Sequence, residues 1–173
     1  MPSKNVVKIN VPGNYYHVCT CGASKQRIYM DEVDYQFFLS LFENHLSEDN
    51  LAEMLAYCLM SDCFDLLICQ IGKGGVAKFM RSIVIAYNEY YYNRYQVKDL
   101  LSETDLKISK ALSDNLLDIS RHIHTNPSDW MDYPYSSIRA YLYDDVPSWL
   151  NKTHIVEKYG SAVEYLDFLK INQ

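Results

Sequence analysis

Two histidines stand two residues apart in the segment His122-Ile123-His124, a spacing that some metal sites use. The segment comes just before Asn126-Pro127. Because the residue before a proline avoids the α region, we place the two histidines at the end of a helix. On a helix, side chains two residues apart point about 200° away from one another and cannot share a metal. The pair is therefore not expected to form a metal site by itself.

Cysteine is the second residue type that could bind metal or form cross-links, and the chain has five. The number is odd, and the residues lie in apolar, strand-like segments, which disfavours a disulfide framework. Cys19 and Cys21 are two residues apart and there is no C-x-x-C pair, so a structural zinc site is not expected and the thiols should be reduced. The five are Cys19, Cys21, Cys58, Cys63 and Cys69.

The glycines in Ile71-Gly72-Lys73-Gly74-Gly75 could in principle cradle a phosphate. A phosphate loop has the pattern G-x-x-x-x-G-K-[ST], in which the lysine follows the second glycine. Here Lys73 precedes the glycine pair and the pattern is absent. The stretch therefore predicts a flexible connection between a strand and a helix.

Hydrophobic periodicity predicts the elements that position these residues. The order is a strand, a helix, a β-hairpin with its turn at Ser61-Asp62, and then further helices. The segments are 15–21 (strand), 31–46 (helix), 54–60 and 63–70 (hairpin), 76–95 and 113–125 (helices), a helix start near 133–137, and an amphipathic segment over 152–169. This pattern predicts an α+β fold with a ferredoxin-like antiparallel sheet covered by helices.

With 173 residues and 49% hydrophobic residues, the chain suits one domain over 1–173, with 145–173 as a C-terminal helical extension. No apolar run is long enough for a membrane span, and the first residues lack the apolar stretch of a secretory signal. These features predict a soluble cytoplasmic protein without a membrane partner.

The charge balance of 16 Lys and Arg against 22 Asp and Glu, a net charge of -6, argues against nucleic acid as a partner. The charge is uneven, however. Residues 1–30 carry four bases and no acid, residues 31–72 carry nine acids and no base, and residues 73–98 carry five bases and one acid. If the two basic segments meet in the fold, they could form one positive face. Solvated surface is the alternative.

Four segments, in this order along the chain, resemble the REP-associated branch of the HUH single-strand tyrosine transposases, a family of the insertion-sequence type. They are Gly13-Asn14-Tyr15-Tyr16-His17-Val18, Ala56-Tyr57-Cys58-Leu59-Met60 with Leu66-Leu67, Arg121-His122-Ile123-His124-Thr125-Asn126-Pro127, and Asp132-Tyr133-Pro134-Tyr135-Ser136-Ser137-Ile138-Arg139-Ala140-Tyr141. Together they span most of the chain.

The resemblance implies cleavage and rejoining of single-stranded DNA. In the family, two histidines on a central strand hold a divalent metal that polarises the scissile phosphate. A tyrosine from a helix then attacks the phosphorus and becomes linked to the DNA. The strand motif reads Met-Pro-Asn-His-x-His, and the tyrosine belongs to Tyr-Ile-His-x-Asn-Pro.

This sequence departs from the family at each chemical position. Cys63 and Asp65 stand where the family has its metal-binding histidines, and His122 stands at the position of the nucleophilic tyrosine. A thiolate and a carboxylate can bind zinc or manganese, but two ligands make no complete site. We therefore expect no cofactor, or a divalent Mg or Mn ion if the family chemistry survives. The alternative at the hairpin is a small apolar residue followed by a surface acid.

The resemblance implies a transposase-like DNA-binding protein that has lost its strand-transfer chemistry and binds single-stranded or hairpin DNA. The predicted DNA contacts are Lys25, Arg27, Lys78, Arg81 and Arg94. Tyrosines clustered near Arg94 could stack on bases or pack in the core. Two alternatives remain open: an active transposase or nuclease that uses Cys63, Asp65 and either His122 or an unexpected tyrosine, and a fold reused as a protein-interaction module.

Overall fold

Strands and helices alternate along the computed structural model, which describes residues 11–20 and 26–171. The strands are β1 (Tyr15–Thr20), β2 (Ala52–Met60), β3 (Cys63–Gln70) and β4 (Leu106–Ala111). The α-helices are α1 (Glu32–Asp49), α2 (Gly75–Tyr95), α3 (Leu116–Thr125), α4 (Ile138–Tyr143), α5 (Thr153–Val156) and α6 (Ala162–Lys170). None of the helices in this part of the chain is both long and apolar enough to cross a bilayer.

The four strands form one antiparallel sheet in the order β2-β3-β1-β4. Together with the chain order β1-α1-β2-β3-α2-β4, this is the predicted ferredoxin-like arrangement. The predicted hairpin is also confirmed, because Met60 pairs with Cys63 across the turn at Ser61-Asp62. The sheet places β1 and β3 side by side at its centre, although 42 residues separate them in sequence.

Helices α1 and α2 cover one face of the sheet. Side chains alternate between the two faces of a strand, and Phe64, Leu66 and Ile68 of β3 are fully buried on this face. The ring of Phe64 lies 5.4 Å from that of Phe38 in α1, which in turn lies 4.9 Å from the ring of Tyr87 in α2. Each such buried side chain contributes about 1.5–3 kcal/mol to stability.

Helix α3 packs against β2 and β3 on the opposite face, which we call the α3 face. It carries Tyr15, His17 and Cys19 of β1 and Asp65 of β3, since these positions alternate with the residues under α1 and α2. The part of this face formed by β1 and β4 is less covered. Along β1, buried Tyr16 and Val18 alternate with half-buried neighbours on the α3 face.

Three elements differ from the sequence-based expectation. The strand β4 lies in a segment for which no strand was predicted. Residues 113–125 begin with a 3-10 turn before α3. The amphipathic segment 152–169 is two helices, α5 and α6, because the chain turns at Gly160, where φ is +82° and an L side chain would be strained.

His124 lies in the core beneath α3 and is completely buried. Its ring nitrogens lie 2.8 Å from the hydroxyl of Tyr165 and 2.7 Å from that of Ser137. Burial disfavours the charged imidazole and lowers the pKa of His124 from 6.5 to about 3. The predicted divergence of His122 and His124 is thus observed, and His124 is a neutral core residue.

The buried imidazole of His124 predicts a loss of stability in mild acid. The unfolded chain binds a proton below about pH 6.5 and the folded chain does not, so stability is fully present above that pH and is lost as the pH falls toward the folded pKa. From pH 7 to pH 5, His124 should cost the wild type about 2 kcal/mol of unfolding free energy. Denaturant unfolding at both pH values measures this loss. His124→Gln should show a shallower pH dependence; equal slopes would contradict the prediction.

Candidate functional site

Asp65 lies at the start of β3 on the α3 face, and both oxygens of its carboxylate have partners. His17 Nε2 lies 2.9 Å from Asp65 Oδ1, and the side-chain amide of Asn126, at the end of α3, donates to Asp65 Oδ2 at 3.1 Å. A carboxylate only accepts hydrogen bonds, so His17 Nε2 carries the proton of this contact. Residues from β1, β3 and the C-terminal end of α3 thus meet at the Asp65 carboxylate.

Cys63 is half-buried two residues before Asp65, on the same face of β3. Burial, together with the carboxylates of Asp62 and Asp65, raises the pKa of Cys63 to about 12. The thiol is therefore neutral at physiological pH, and a metal would have to displace its proton before binding.

His122 is exposed on α3 and faces the same cluster. Its ring lies 6.2 Å from that of His17, at an angle of 83°, so the two imidazoles meet edge to face. Asn126 follows His122 by four residues and lies on the same side of the helix. His122 and Asp65 thus lie on either side of His17, which contacts both of them.

His17, Cys19 and Asp65 form a possible metal-binding group at this site, because each offers one ligand atom within 4.8 Å of the others. This set combines an imidazole, a thiol and one carboxylate. It suits zinc, which accepts nitrogen, sulfur and oxygen ligands, and fits Mg²⁺ poorly, because Mg²⁺ requires oxygen ligands. Sequence reasoning missed His17 and Cys19 as site residues. Their signal was the i, i+2 spacing on a strand that the ferredoxin-like order places beside β3.

Two of the predicted DNA-binding arginines are in ion pairs on the other side of the sheet. Arg81 of α2 binds Glu103 at 3.0 Å. Arg94, at the end of α2, lies 2.5 Å from Asp31 and 2.6 Å from Asp34. Their charge is therefore largely balanced within the protein, and α2 covers the face opposite to His122.

The other predicted DNA-binding cations are Lys25, Arg27 and Lys78. Lys25 lies outside the described residues. Arg27 and Lys78 are exposed, and the carbonyl of Arg27 accepts a hydrogen bond from Tyr91 of α2 at 3.4 Å. The second basic segment and the end of the first therefore meet, as the charge pattern allowed, but on the α1 and α2 side of the sheet.

Most of the clustered tyrosines of α2 are engaged within the protein. Tyr87 donates to the carbonyl of Ile28 at 2.7 Å, and Tyr90 and Tyr95 donate to Asp34 at 2.7 and 2.9 Å. Core packing is thus their main role, and they lie on the face away from His122.

The strand β4 adds two polar residues to the open part of the α3 face. Lys107 lies opposite Cys19, and Ser109 lies opposite His17, so their side chains share the face of the cluster. Lys107 is exposed and Ser109 is half-buried. Sequence reasoning missed both because it did not recognise the strand.

The solved structures that are similar in fold include a REP-associated tyrosine transposase bound to a REP hairpin. It superposes with a TM-score of 0.64 at 12% sequence identity, over 85% of this chain and 89% of that one. No family model matches the chain, and no curated protein matches it. At this identity the likeness establishes the fold, a four-stranded antiparallel sheet packed against helices in a transposase-like arrangement.

Proposed function

We propose that the protein binds single-stranded or hairpin DNA on the open part of the α3 face, without cleaving and rejoining it. The observation that carries the proposal is the cluster around Asp65. There His17, His122 and Lys107 lie together on the less covered part of the α3 face, which β1 and β4 form. The fold supports it, because a transposase of the same architecture is bound to a hairpin. A lysine cation and imidazole N–H groups suit phosphate oxygens and base edges.

The loss of strand transfer is argued from the same residues. The family nucleophile position carries His122 rather than tyrosine. Both oxygens of Asp65 already accept hydrogen bonds from His17 and Asn126, and the donors beside it, His17 and Cys19, offer nitrogen and sulfur, which Mg²⁺ does not prefer. Tyr87, Tyr90 and Tyr95 of α2 use their hydroxyls in hydrogen bonds on the opposite face of the sheet.

A second candidate function is a metal-dependent DNA nuclease. It is favoured by one observation: His17 and Cys19 on β1 bring an imidazole and a thiol to Asp65, where the family's strand has its histidine pair. Zinc held there could activate water against a phosphodiester, with His122 nearby as a proton donor or acceptor.

A labelled-oligonucleotide assay tests both candidates. We expect hairpin and single-stranded probes to bind. The logarithm of the association constant should fall linearly with the logarithm of the salt concentration between ~50 and ~200 mM. Incubation with Mn²⁺ or Zn²⁺ should leave the probe intact.

The outcomes separate the functions. Cleavage that is lost in His17→Gln and kept in the matched His45→Gln variant, whose histidine lies on α1, would favour the nuclease. Failure to bind hairpin, single-stranded and duplex probes at low salt would reject DNA binding and leave the protein-interaction module.

A further inference from the structure

A second group of metal-ligating side chains lies on the α3 face, at the opposite end of β3 from Asp65. Glu53 of β2 and Tyr15 of β1 lie on either side of Cys69 of β3, directly opposite it in the two strand pairings. Residues opposite each other in adjacent strands direct their side chains to the same face. A carboxylate, a thiol and a phenol therefore form one row across three strands.

His154, from α5, lies over this row. Its Nδ1 is 3.2 Å from the hydroxyl of Tyr15, and its Nε2 is 3.3 Å from Glu53 Oε2. One ligand atom each of Glu53, Cys69 and His154 lies within 4.8 Å of the others. The imidazole is thus held by its two nitrogens directly above a buried cysteine.

We propose that Glu53, Cys69 and His154 form a zinc-binding site. The nitrogen, sulfur and oxygen donors are those that zinc prefers, and three protein ligands leave a fourth position for water. Zinc bonds of ~2.0–2.3 Å place tetrahedral ligands ~3.3–3.8 Å apart, so the three side chains need only small adjustments. The thiolate and the carboxylate together balance the charge of Zn²⁺. The proposal does not depend on DNA binding.

Proton balance follows from the hydrogen bonds. Without metal, Nε2 of His154 donates to the Glu53 carboxylate and Nδ1 accepts from the Tyr15 hydroxyl. With zinc on Nε2, the ring proton moves to Nδ1 and is donated to the Tyr15 oxygen, the usual outer contact of a metal-bound histidine. The Cys69 thiol releases its proton to solvent as the zinc–sulfur bond forms, so one proton leaves for each zinc bound.

The hydrogen bond that orients Glu53 and the exposure of the proposed ligands to solvent also suit the binding of an ion. The side-chain amide of Asn151 donates to Glu53 Oε2 at 3.2 Å and orients that carboxylate. A cleft of about 560 Å³ runs along Glu53, Asn151 and Thr153. The side chains of Glu53 and His154 are each about one-third exposed, so an ion can reach the row from solvent.

Bound zinc would fasten α5 to the sheet. The C-terminal segment already contacts β2 where the Asn151 backbone N–H donates to the Met54 carbonyl at 2.9 Å. A link from His154 through the metal to Glu53 and Cys69 would add a second attachment to β2 and a first one to β3. Because zinc would bind the folded chain far better than the unfolded one, it should raise the thermal unfolding midpoint.

Cobalt titration of the full chain tests the site. Co²⁺ stands in for Zn²⁺ and gives a thiolate charge-transfer absorption when it binds a cysteine. We expect one equivalent to produce this band and one equivalent of Zn²⁺ to abolish it. The band should be lost in Cys69→Ser and retained in Cys19→Ser, the matched variant whose thiol belongs to the cluster near Asp65. Tyr15→Phe should weaken binding about 10–100-fold as an outer contact.

His154→Gln provides a second test in case Cys69→Ser does not fold, because His154 is partly exposed and its replacement should disturb the fold less. The His154→Gln variant should also lose the band. Loss of the band in Cys19→Ser with retention in Cys69→Ser would overturn the proposal, since the metal would then bind near Asp65. Absence of any cobalt or zinc binding to the wild type would also overturn it and leave the row as a hydrogen-bonded contact alone.

Discussion

Asp34→Ala is expected to lower the free energy of unfolding by about 3–5 kcal/mol, because several donors lose a charged acceptor and each such hydrogen bond contributes about 1.5–3 kcal/mol. The side chain of Asp34 is completely buried at the start of α1. It accepts hydrogen bonds from the Met30 backbone, from the hydroxyls of Tyr90 and Tyr95, and from Arg94, at 2.6–2.9 Å. Without the carboxylate, these donors lose their partner where water cannot fully replace it.

Asp31→Ala is the matched control. Asp31 binds the same Arg94 guanidinium, but its side chain is 47% exposed. It also caps α1 by accepting from the Val33 and Asp34 backbone N–H groups. Loss of a cap and of an exposed ion pair should lower the free energy of unfolding clearly less than the loss of Asp34 does. Urea unfolding followed by circular dichroism compares the two variants, and a smaller loss for Asp34→Ala than for Asp31→Ala would contradict the account.

This network also determines how DNA contacts can be tested. Arg94 was predicted as a DNA-binding residue from its place in a basic segment, but its guanidinium is bound to two carboxylates. An alanine at this position would disturb the anchor of α1 as well as any phosphate contact. A change in DNA affinity in that variant would therefore not identify the interface.

Local pattern was sufficient for most of the fold. The two apolar runs around Ser61-Asp62 predicted the β2–β3 hairpin, and the strand, helix and hairpin order predicted the ferredoxin-like sheet. β4 was missed because Leu106–Ala111 is short and keeps the apolar–polar alternation of a strand only from Leu106 to Ser109. The break between α5 and α6 depends on one glycine turn that periodicity does not reveal.

Only part of the candidate site around Asp65 was predictable from the sequence, because the other part depends on the register between two strands. Asp65 and His122 were identified from motif positions, but His17 reaches Asp65 only through the register of β1 on β3, in which Cys19 lies opposite Asp65 and His17 lies opposite Leu67. That diagonal contact joins residues 48 apart in sequence. No local pattern encodes such a register. The Glu53, Cys69 and His154 group depends in the same way on how the C-terminal segment docks.

Lys107→Glu is expected to weaken hairpin binding about tenfold, or ~1.4 kcal/mol, and to reduce the salt slope of log K by about one. Lys107 is the exposed cation of β4 that shares the α3 face with His17 and Cys19. Lys110→Glu is the matched control. Lys110 is also exposed on β4, but it lies opposite Tyr16, whose side chain points to the α1 and α2 face. Both variants change the net charge equally.

Fluorescence anisotropy of a labelled hairpin against these two variants and the wild type is the most direct measurement of the proposed interface. The account predicts that Lys107→Glu binds about tenfold more weakly and that Lys110→Glu binds like the wild type. Equal loss in both variants would indicate a general charge effect. Equal loss, or a loss only in Lys110→Glu, would contradict DNA binding on the open part of the α3 face.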